Sequence, residues 1–219
     1  MKTRLVFLPG LGADSRLFHP QRSAFKNSIN PAWLTPQKNE TLPQYAQRWA
    51  KKLKLKKGCV LVGVSFGGMV ALEMARHVKP KAVLLIGSCR VPQSVPLVLR
   101  VAGSFPAWPL IGKALVNLFP FGRKWFLGAQ TKEQQDLLTQ MFLETPNPFL
   151  LWTVGAIRGW AGFNGKFTNV HHVHGDNDHL IPIQNVRPDK VIQGGGHVIN
   201  LTHPREVNEF IRKSLASKK

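Results

Sequence analysis

The 219-residue chain is long enough to bury one substantial hydrophobic core, and 43% of its residues are apolar, which excludes an intrinsically disordered protein. Its 30 Lys and Arg residues outnumber its 11 Asp and Glu residues, so the formal net charge is +19. Such a charge is typical of a solvated basic surface or of a protein with an acidic partner. The two cysteines, Cys59 and Cys89, lie in or beside apolar runs, so a disulfide framework is not expected.

The amino terminus, MKTRLVFLPGLGA, has two basic residues before an apolar run, as a short signal peptide would. Pro9-Gly10 interrupts that run and no small-residue cleavage pattern is clear, so a strand is the better interpretation. Elsewhere no apolar run approaches the roughly 18 residues of a membrane span. We therefore expect a cytoplasmic protein without a transmembrane segment.

Short apolar runs alternate with amphipathic runs along the chain. Six of the apolar runs have the composition of strands, although the second in chain order contains Pro31. These runs are Arg4–Leu8, Ile29–Leu34, Val60–Val64, Ala82–Ile86, Val170–Val173 and the weaker Lys190–Ile192. Residues that cap or open helices stand between them, namely Thr41 with Pro43, Thr131 with Gln134, Asn147 with Pro148, and Thr202 with Pro204. The alternation predicts an α/β fold in which a doubly wound parallel sheet of about six strands carries helices on both faces.

One region, residues 90–166, interrupts this alternation with helical runs and loops but no convincing strand. It holds four of the six tryptophans, Trp108, Trp125, Trp152 and Trp160. An insertion this apolar must cover a sheet edge or a cleft. We predict that it forms a helical lid on a single domain spanning residues 1–219.

A serine stands between two glycines where the run Val60–Val64 gives way to a helix-like run. The stretch Gly63-Val64-Ser65-Phe66-Gly67 has the pattern G-x-S-x-G, which at a strand-to-helix turn is the nucleophile elbow. Bulky side chains at the two glycine positions would collide with the backbone of so sharp a turn. The alternative is a tight turn without chemistry, but the flanking strand and helix favour a nucleophilic Ser65.

A serine nucleophile needs a base, and the base needs an orienting acid. Two later segments end strand-like runs with such residues: VHHVHGDNDHLIP (170–182) supplies acids, and VIQGGGHVINLTHP (191–204) supplies a histidine on a glycine-rich loop. The chain order of serine, acid and histidine is that of enzymes with a nucleophile elbow.

These motifs resemble those of the α/β-hydrolase superfamily over nearly the whole chain. Gly175, Asp178 and Pro182 match the acid-loop pattern G-x-x-D-x-x-x-P, and Gly196-His197 matches the loop of the catalytic histidine. The resemblance implies a small, serine esterase-like protein. It also implies that the sheet lacks the first two strands of that family, because the chain begins with the strand that leads into the oxyanion loop.

The resemblance further implies that Ser65 is the nucleophile, His197 the base and Asp178 the acid. Asp176 is a competing acid, whose other role would be to hydrogen-bond the backbone of its own loop. The oxyanion hole would use the backbone N–H groups of Phe66 and Leu11. No cofactor is expected.

The sequence also contains partial motifs of two other site classes, a dinucleotide site and a metal site. Gly10-x-Gly12 begins a dinucleotide fingerprint, but Ser15 replaces its third glycine and no acid ends the second strand. A zinc site would use a cluster of histidines and acids, namely His171, His172, His174, His179, Asp176 and Asp178. Because consecutive strand residues point to opposite faces, these histidines cannot all converge, and we expect no metal.

The sequence therefore predicts a serine hydrolase that cleaves carboxylic esters or thioesters of apolar acyl groups through an acyl-enzyme. The alternative is a basic-surfaced protein of the same fold that binds an acidic partner, such as an acyl carrier protein, with weak or idle catalysis. No motif for specific nucleic-acid binding accompanies the charge. The cations expected to contact such a carrier are Arg100, Lys113, Arg123, Lys124 and Arg158.

Overall fold

The computed structural model of the protein describes residues 3–102, 105–118, 122–165, 167 and 169–216. In this part of the chain, six parallel strands form one sheet in the order β2-β1-β3-β4-β5-β6. The strands are β1 (Leu5–Leu8), β2 (Ser28–Ile29), β3 (Val60–Val64), β4 (Ala82–Ile86), β5 (Val170–Gly175) and β6 (Lys190–Ile192). The predicted α/β fold with a doubly wound parallel sheet is confirmed.

Strand β2 differs from its prediction, since it is shorter and begins one residue earlier than the run Ile29–Leu34. It pairs with β1 only through Ser28 and Ile29. Pro31 has no backbone N–H to donate to a neighbouring strand, which explains why pairing ends before it. The chain beyond it packs into the core instead, where the Trp33 indole N–H donates to the Ala13 carbonyl over 2.9 Å.

The helices begin close to the residues expected to open them. Capping boxes are present at Thr41 with Gln44 and at Thr131 with Gln134, and a proline lies in the first turn of the helix that begins at Asn147. The helices are α1 (His19–Ala24), α2 (Leu42–Lys52), α3 (Phe66–Val78), α4 (Leu97–Ala102), α5 (Trp108–Leu118), α6 (Lys132–Glu144), α7 (Asn147–Gly159), α8 (Ile199–Thr202) and α9 (Pro204–Ala216).

Two hydrophobic clusters sandwich the sheet, because successive strand residues face opposite sides. Val6 packs in one cluster with Trp49 of α2, while its neighbour Phe7 packs in the other with Ile211 of α9. All the residues of β1, β3 and β4 are buried. Burial on both faces explains why these strands are continuous apolar runs in the sequence.

Between β4 and β5, the described residues form helices α4 to α7 and no strand. Helix α7 packs this insertion against α2, since the ring centroids of Trp152 in α7 and Tyr45 in α2 lie 4.4 Å apart. Just beyond α7, the indole N–H of Trp160 donates to the Glu73 carboxylate of α3 over 2.8 Å. The predicted end of the insertion at residue 166 lies outside the described residues.

Among the described helices, none combines the length and the apolar character needed to cross a membrane.

Candidate active site

Ser65 occupies a strained turn between β3 and α3. Its φ of 52° and ψ of −122° are rare for a residue with a side chain, and such outliers persist only where the surroundings impose them. Hydrogen bonds hold its backbone on both sides: the Ser65 amide donates to the Ile86 carbonyl over 3.0 Å, and the Ser65 carbonyl accepts from the Ser88 hydroxyl over 2.7 Å and from the Gly68 amide over 2.9 Å. The serine is thereby fixed at the carboxyl end of the central strand.

The glycines on either side of Ser65 are required by close backbone approach. A Cβ atom added at Gly63 would overlap the Gly67 carbonyl oxygen, and one added at Gly67 would overlap the carbonyl oxygens of Leu8 and Pro9. The strand, the turn and the helix therefore pack together without room for a side chain at either position.

The loop after β1 lies beside this turn. Leu8 pairs with Gly63 across the two strands, so the segments that follow them leave the sheet together. A Cβ atom added at Gly10 would come within 3.3 Å of the Ser65 Cβ. Leu11 and Phe66, whose amides were predicted as oxyanion donors, line one cavity with Ser65.

Asp178 is buried in the loop after β5, with hydrogen bonds to both carboxylate oxygens. Its Oδ1 accepts from the Leu180 and Ile181 amides, each over 2.9 Å, and its Oδ2 lies 2.7 Å from His197 Nδ1. Burial alone would raise the pKa of Asp178. The nearby His197 and the hydrogen bonds from His174 and His197 outweigh it and hold the pKa well below its usual range. Asp178 is therefore an ionised hydrogen-bond acceptor for the imidazole.

On the other side of Asp178 from His197 lies a buried pair of histidines, His172 and His174, whose contact with Asp178 was not predicted from the sequence. His174 Nε2 lies 3.1 Å from Asp178 Oδ2 and 2.8 Å from the Ile181 carbonyl oxygen. Because that carbonyl only accepts, His174 donates from Nε2, and its Nδ1 lies 3.0 Å from His172 Nε2. Burial, followed by the charges of His174 and Arg90, lowers the pKa of His172 to about 3, so this ring is neutral at pH 7.

The remaining members of the histidine and acid cluster point elsewhere. His171 faces the other side of β5, with Nε2 2.8 Å from Asn169 Oδ1, and His179 stacks on Trp125 with ring centroids 4.1 Å apart. The alternation of strand residues thus separates His171 from the pair His172 and His174. Those two share one face because they stand two residues apart. The described residues contain no group of three or more metal-ligating side chains that could hold an ion.

Among the described residues, no hydrogen bond or ion pair joins Asp176 to the His197 imidazole. Its amide donates to the Ile192 carbonyl over 3.2 Å, whereas its Oδ1 is buried without a hydrogen-bond partner in the described part of the chain. Asp176 Oδ1 therefore accepts no hydrogen bond from the described amides of its own loop.

Ser65 and His197 both line two neighbouring cavities. The larger, of about 480 Å³, is walled largely by apolar side chains, with Leu115, Phe126 and Phe142 contributed by the insertion. The smaller, of about 240 Å³, lies towards α4 and α7. Within the described residues no hydrogen bond joins the Ser65 hydroxyl to His197, an interaction that commonly tightens only when substrate binds.

This fold, with a strained serine at the strand-to-helix turn and a histidine paired to a buried aspartate, agrees with a sequence match. Residues 5–210 match the profile of the Alpha/beta hydrolase family, and the chain belongs to that family. No curated protein sequence matches the chain significantly.

Solved structures share its fold at low sequence identity. An esterase from Exiguobacterium antarcticum has a TM-score of 0.74 at 16% identity, over 98% of this chain and 92% of that chain. A hydrolase from Oleispira antarctica has a TM-score of 0.77 at 13% identity, over 99% and 92% of the two chains. An enol-lactonase from Burkholderia xenovorans LB400 has a TM-score of 0.75 at 16% identity, over 98% and 92%.

Proposed function

We propose that the protein is a serine hydrolase that cleaves carboxylic esters or thioesters of apolar acyl groups. The observation that carries the proposal is the shared cavity: Ser65, held in a strained turn, and His197, hydrogen-bonded to buried Asp178, line the same apolar space. The esterase and hydrolase names of proteins with the same fold agree with this chemistry.

In the proposed mechanism the Ser65 hydroxyl attacks the carbonyl carbon while His197 Nε2 takes its proton. The Asp178 carboxylate stabilises the resulting imidazolium through Nδ1. The amides of Leu11 and Phe66 donate to the carbonyl oxygen as it becomes an oxyanion. His197 then protonates the departing alcohol or thiol, leaving an acyl group on Ser65.

The second half of the cycle reverses these proton transfers. A water molecule attacks the acyl carbon as His197 accepts its proton. The tetrahedral intermediate collapses, His197 returns the proton to the Ser65 oxygen, and the carboxylic acid leaves. Each step uses the chain's own side chains and backbone amides.

In this proposal residues 90–166 act as a lid over the nucleophile. Helix α6 packs onto the loop after β1, since a Cβ atom added at Gly12 would overlap the Phe142 ring. The insertion also supplies Leu115, Phe126 and Leu138 to the larger cavity. A wall this apolar suits an acyl chain better than a sugar or a phosphate.

Covalent labelling tests the proposal. A fluorophosphonate probe should modify the wild-type protein on the peptide that contains Ser65, as read by mass spectrometry. The Ser65→Ala variant should stay unlabelled, while Ser23→Ala, which changes an exposed serine of α1, should label like the wild type. On an active ester, Ser65→Ala and His197→Ala should each lower kcat by roughly 10⁴–10⁶, and the double variant should be little worse. A folded wild-type protein that neither labels nor turns over any ester would refute the proposal.

A second candidate function is binding of an acidic carrier protein that delivers the acyl group. It is favoured by the surface of the insertion, because the large apolar side chains that are exposed in the described residues all lie within residues 91–126. They are Val91, Leu97, Val101, Phe105, Leu110, Ile111, Leu115, Trp125 and Phe126. An apolar face on a chain of net charge +19 suits a partner that is acidic and carries an apolar group.

The predicted carrier contacts differ in their surroundings. Lys124 is exposed, whereas Lys113 donates to the Thr145 carbonyl over 2.8 Å and Arg100 lines the smaller cavity. Arg158 is exposed but already interacts with another group of the protein, and the side chain of Arg123 lies outside the described part of the structure.

Salt dependence separates carrier binding from the action of a small-molecule esterase. Charge contacts mainly speed association and are screened over about 10 Å at 0.1 M salt. A carrier-linked ester should therefore lose kcat/KM steeply between low and moderate salt, while a small neutral ester hardly changes. Equal salt dependence for both substrates would rule out the carrier.

A further inference from the structure

The smaller cavity contains two polar side chains that the proposed mechanism does not use. Its wall is otherwise apolar, with Met69, Val154 and Ile157 among the lining residues. Apart from Ser65 and His197, the described lining residues with nitrogen or oxygen atoms in their side chains are Arg100 of α4 and Trp108 of α5.

Both side chains carry a buried N–H group without an acceptor. Arg100 Nε and Trp108 Nε1 are each shielded from solvent, and neither has a hydrogen-bond partner within the described residues. Buried donors are normally satisfied, so an unpaired one carries a desolvation cost that a bound acceptor would remove. The two residues that carry these donors lie on successive helices and line one cavity, which points to a ligand with an oxygen acceptor.

The positive charge of Arg100 indicates that the oxygen acceptor belongs to an anion. A guanidinium stays protonated throughout the accessible pH range, and no Asp or Glu is among the described residues that line this cavity. Arginine in an apolar site pairs best with a carboxylate or phosphate, through short charge-assisted hydrogen bonds. The cavity, of about 240 Å³, has half the volume of its neighbour. Because a carboxylate is smaller than a phosphate, the small cavity favours a carboxylate.

We propose that the smaller cavity is a subsite for a carboxylate on the alcohol part of the substrate, held by Arg100 and Trp108. The assignment of the acyl part and the alcohol part of the ester to the two cavities rests on the proposed function. The larger apolar cavity has no Lys or Arg among its described lining residues and suits the acyl chain, which leaves the smaller cavity for the alcohol. The substrate class is then the acyl esters of short hydroxy carboxylic acids.

The kinetic test compares matched esters that differ only in charge. The butanoyl esters of glycolate, β-hydroxypropanoate and γ-hydroxybutyrate are each paired with the corresponding amide, which is neutral and of similar shape. For at least one chain length the carboxylate ester should have a kcat/KM about 10- to 100-fold above that of its amide, as a hydrogen-bonded charge pair provides. No preference at any length would overturn the subsite.

Variants separate the subsite from general attraction to a basic surface. Arg100→Met should reduce the carboxylate-to-amide ratio tenfold or more, and Trp108→Phe should reduce it severalfold. Arg205→Met removes the same charge from an exposed position on α9, outside the cavity, and should leave the ratio within about twofold. Equal losses in Arg100→Met and Arg205→Met would overturn the proposal, as would a stronger preference for propyl hemisuccinate, whose carboxylate is on the acyl side.

A binding measurement keeps this inference distinct from the proposed hydrolysis. Calorimetric titration of the Ser65→Ala protein with the free hydroxy acids needs no turnover. Binding of at least one acid, weakened tenfold or more by an added Arg100→Met change, would support the subsite even if no ester is hydrolysed. Absence of binding, or binding indifferent to Arg100, would overturn the subsite while leaving the esterase proposal intact.

Discussion

His174 Nε2 lies 3.1 Å from Asp178 Oδ2, the same carboxylate oxygen that His197 Nδ1 approaches to 2.7 Å. The proposed catalytic acid is therefore held from two sides, by the proposed base in front and by a fully buried histidine of β5 behind. Because His174 also donates to the Ile181 carbonyl, it joins the strand to the loop that carries Asp178. We therefore expect His174 to be a positioning residue that acts on catalysis through the carboxylate.

Replacing His174 should slow the chemical step more than it weakens substrate binding. His174→Phe removes a hydrogen bond to a charged group, whose loss costs about 1.5–3 kcal/mol, so kcat should fall roughly 10- to 100-fold with little change in KM. His174→Gln retains an amide donor and should recover part of kcat. Steady-state kinetics on a p-nitrophenyl ester measures both parameters.

The neighbouring residue on β5 provides the control for this variant. His171 faces the other side of the sheet and hydrogen-bonds Asn169. His171→Gln should leave kcat within about twofold, as expected for a substitution away from the site. If His174→Phe folds and keeps the wild-type kcat, His174 has no positioning role.

The two acids of the loop after β5 should respond differently to neutralisation. Asp178→Asn removes the charge that would stabilise the imidazolium and should lower kcat by about 10⁴. Asp176→Asn changes a carboxylate whose Oδ1 has no partner among the described residues, so its effect should fall mainly on stability. Kinetics and thermal unfolding of both variants check this. An inactive Asp176→Asn beside an active, folded Asp178→Asn would reverse the assignment of the acid.

Local patterns in the sequence were sufficient to predict the sheet, and they pointed to residues that the structure brings together in one candidate site. Gly63 and Gly67 are required by backbone contacts within one turn, and the alternation of strand-like and helical runs predicted the six-stranded parallel sheet that is observed. The position of Asp178 beside His197 also agrees with the motif-based prediction, because both stand in short loops after adjacent strands.

Features that depend on packing between distant elements were not predicted. The pair His172 and His174 carried a usable signal, since residues two apart on a strand share a face, but the sequence does not show that this face packs against the loop of Asp178. The meeting of Arg100 and Trp108 in one cavity left no such signal. They lie on different helices of the insertion, where sequence gives helix positions but not the angles at which helices pack.

His172 should make the protein sensitive to acid before its carboxylates titrate. The pKa of His172 is about 3 in the folded protein against an ordinary value of 6.5, so between these values the unfolded chain binds a proton that the folded chain does not. The free energy of unfolding should therefore fall with decreasing pH in this window, by up to about 1.4 kcal/mol per pH unit. For Asp178 the folded protein favours the charged form, so its pKa is lowered as well. The stability that Asp178 contributes is lost only when the pH falls below the ordinary pKa of 3.8.

Urea unfolding at several pH values between about 6 and 4 measures this slope. His172→Gln should show a shallower fall in unfolding free energy with acid than the wild type. His77→Gln, which alters an exposed histidine at the end of α3, should keep the wild-type slope. Identical slopes in His172→Gln and the wild type would show that His172 titrates normally in the folded protein.

The larger cavity should select the length of the acyl chain. Its wall is mostly apolar, so each methylene that it buries should contribute up to about 0.8 kcal/mol, and kcat/KM on p-nitrophenyl esters should rise from acetate to a medium chain. Leu115 lines this cavity from α5 and is 48% exposed, so Leu115→Trp can add bulk there without disturbing the core. The preferred chain should become shorter in that variant.

Leu110 gives a matched control for this shift in chain length. It lies on the same helix, is 63% exposed and is absent from the cavity wall, so Leu110→Trp adds the same bulk outside the cavity. Its chain-length profile should follow the wild type. A wild-type profile that falls steadily from acetate would contradict an apolar acyl site in this cavity. A shift shared by both variants would instead trace the effect to the surface of the insertion, because only one of the two leucines faces the space beside Ser65.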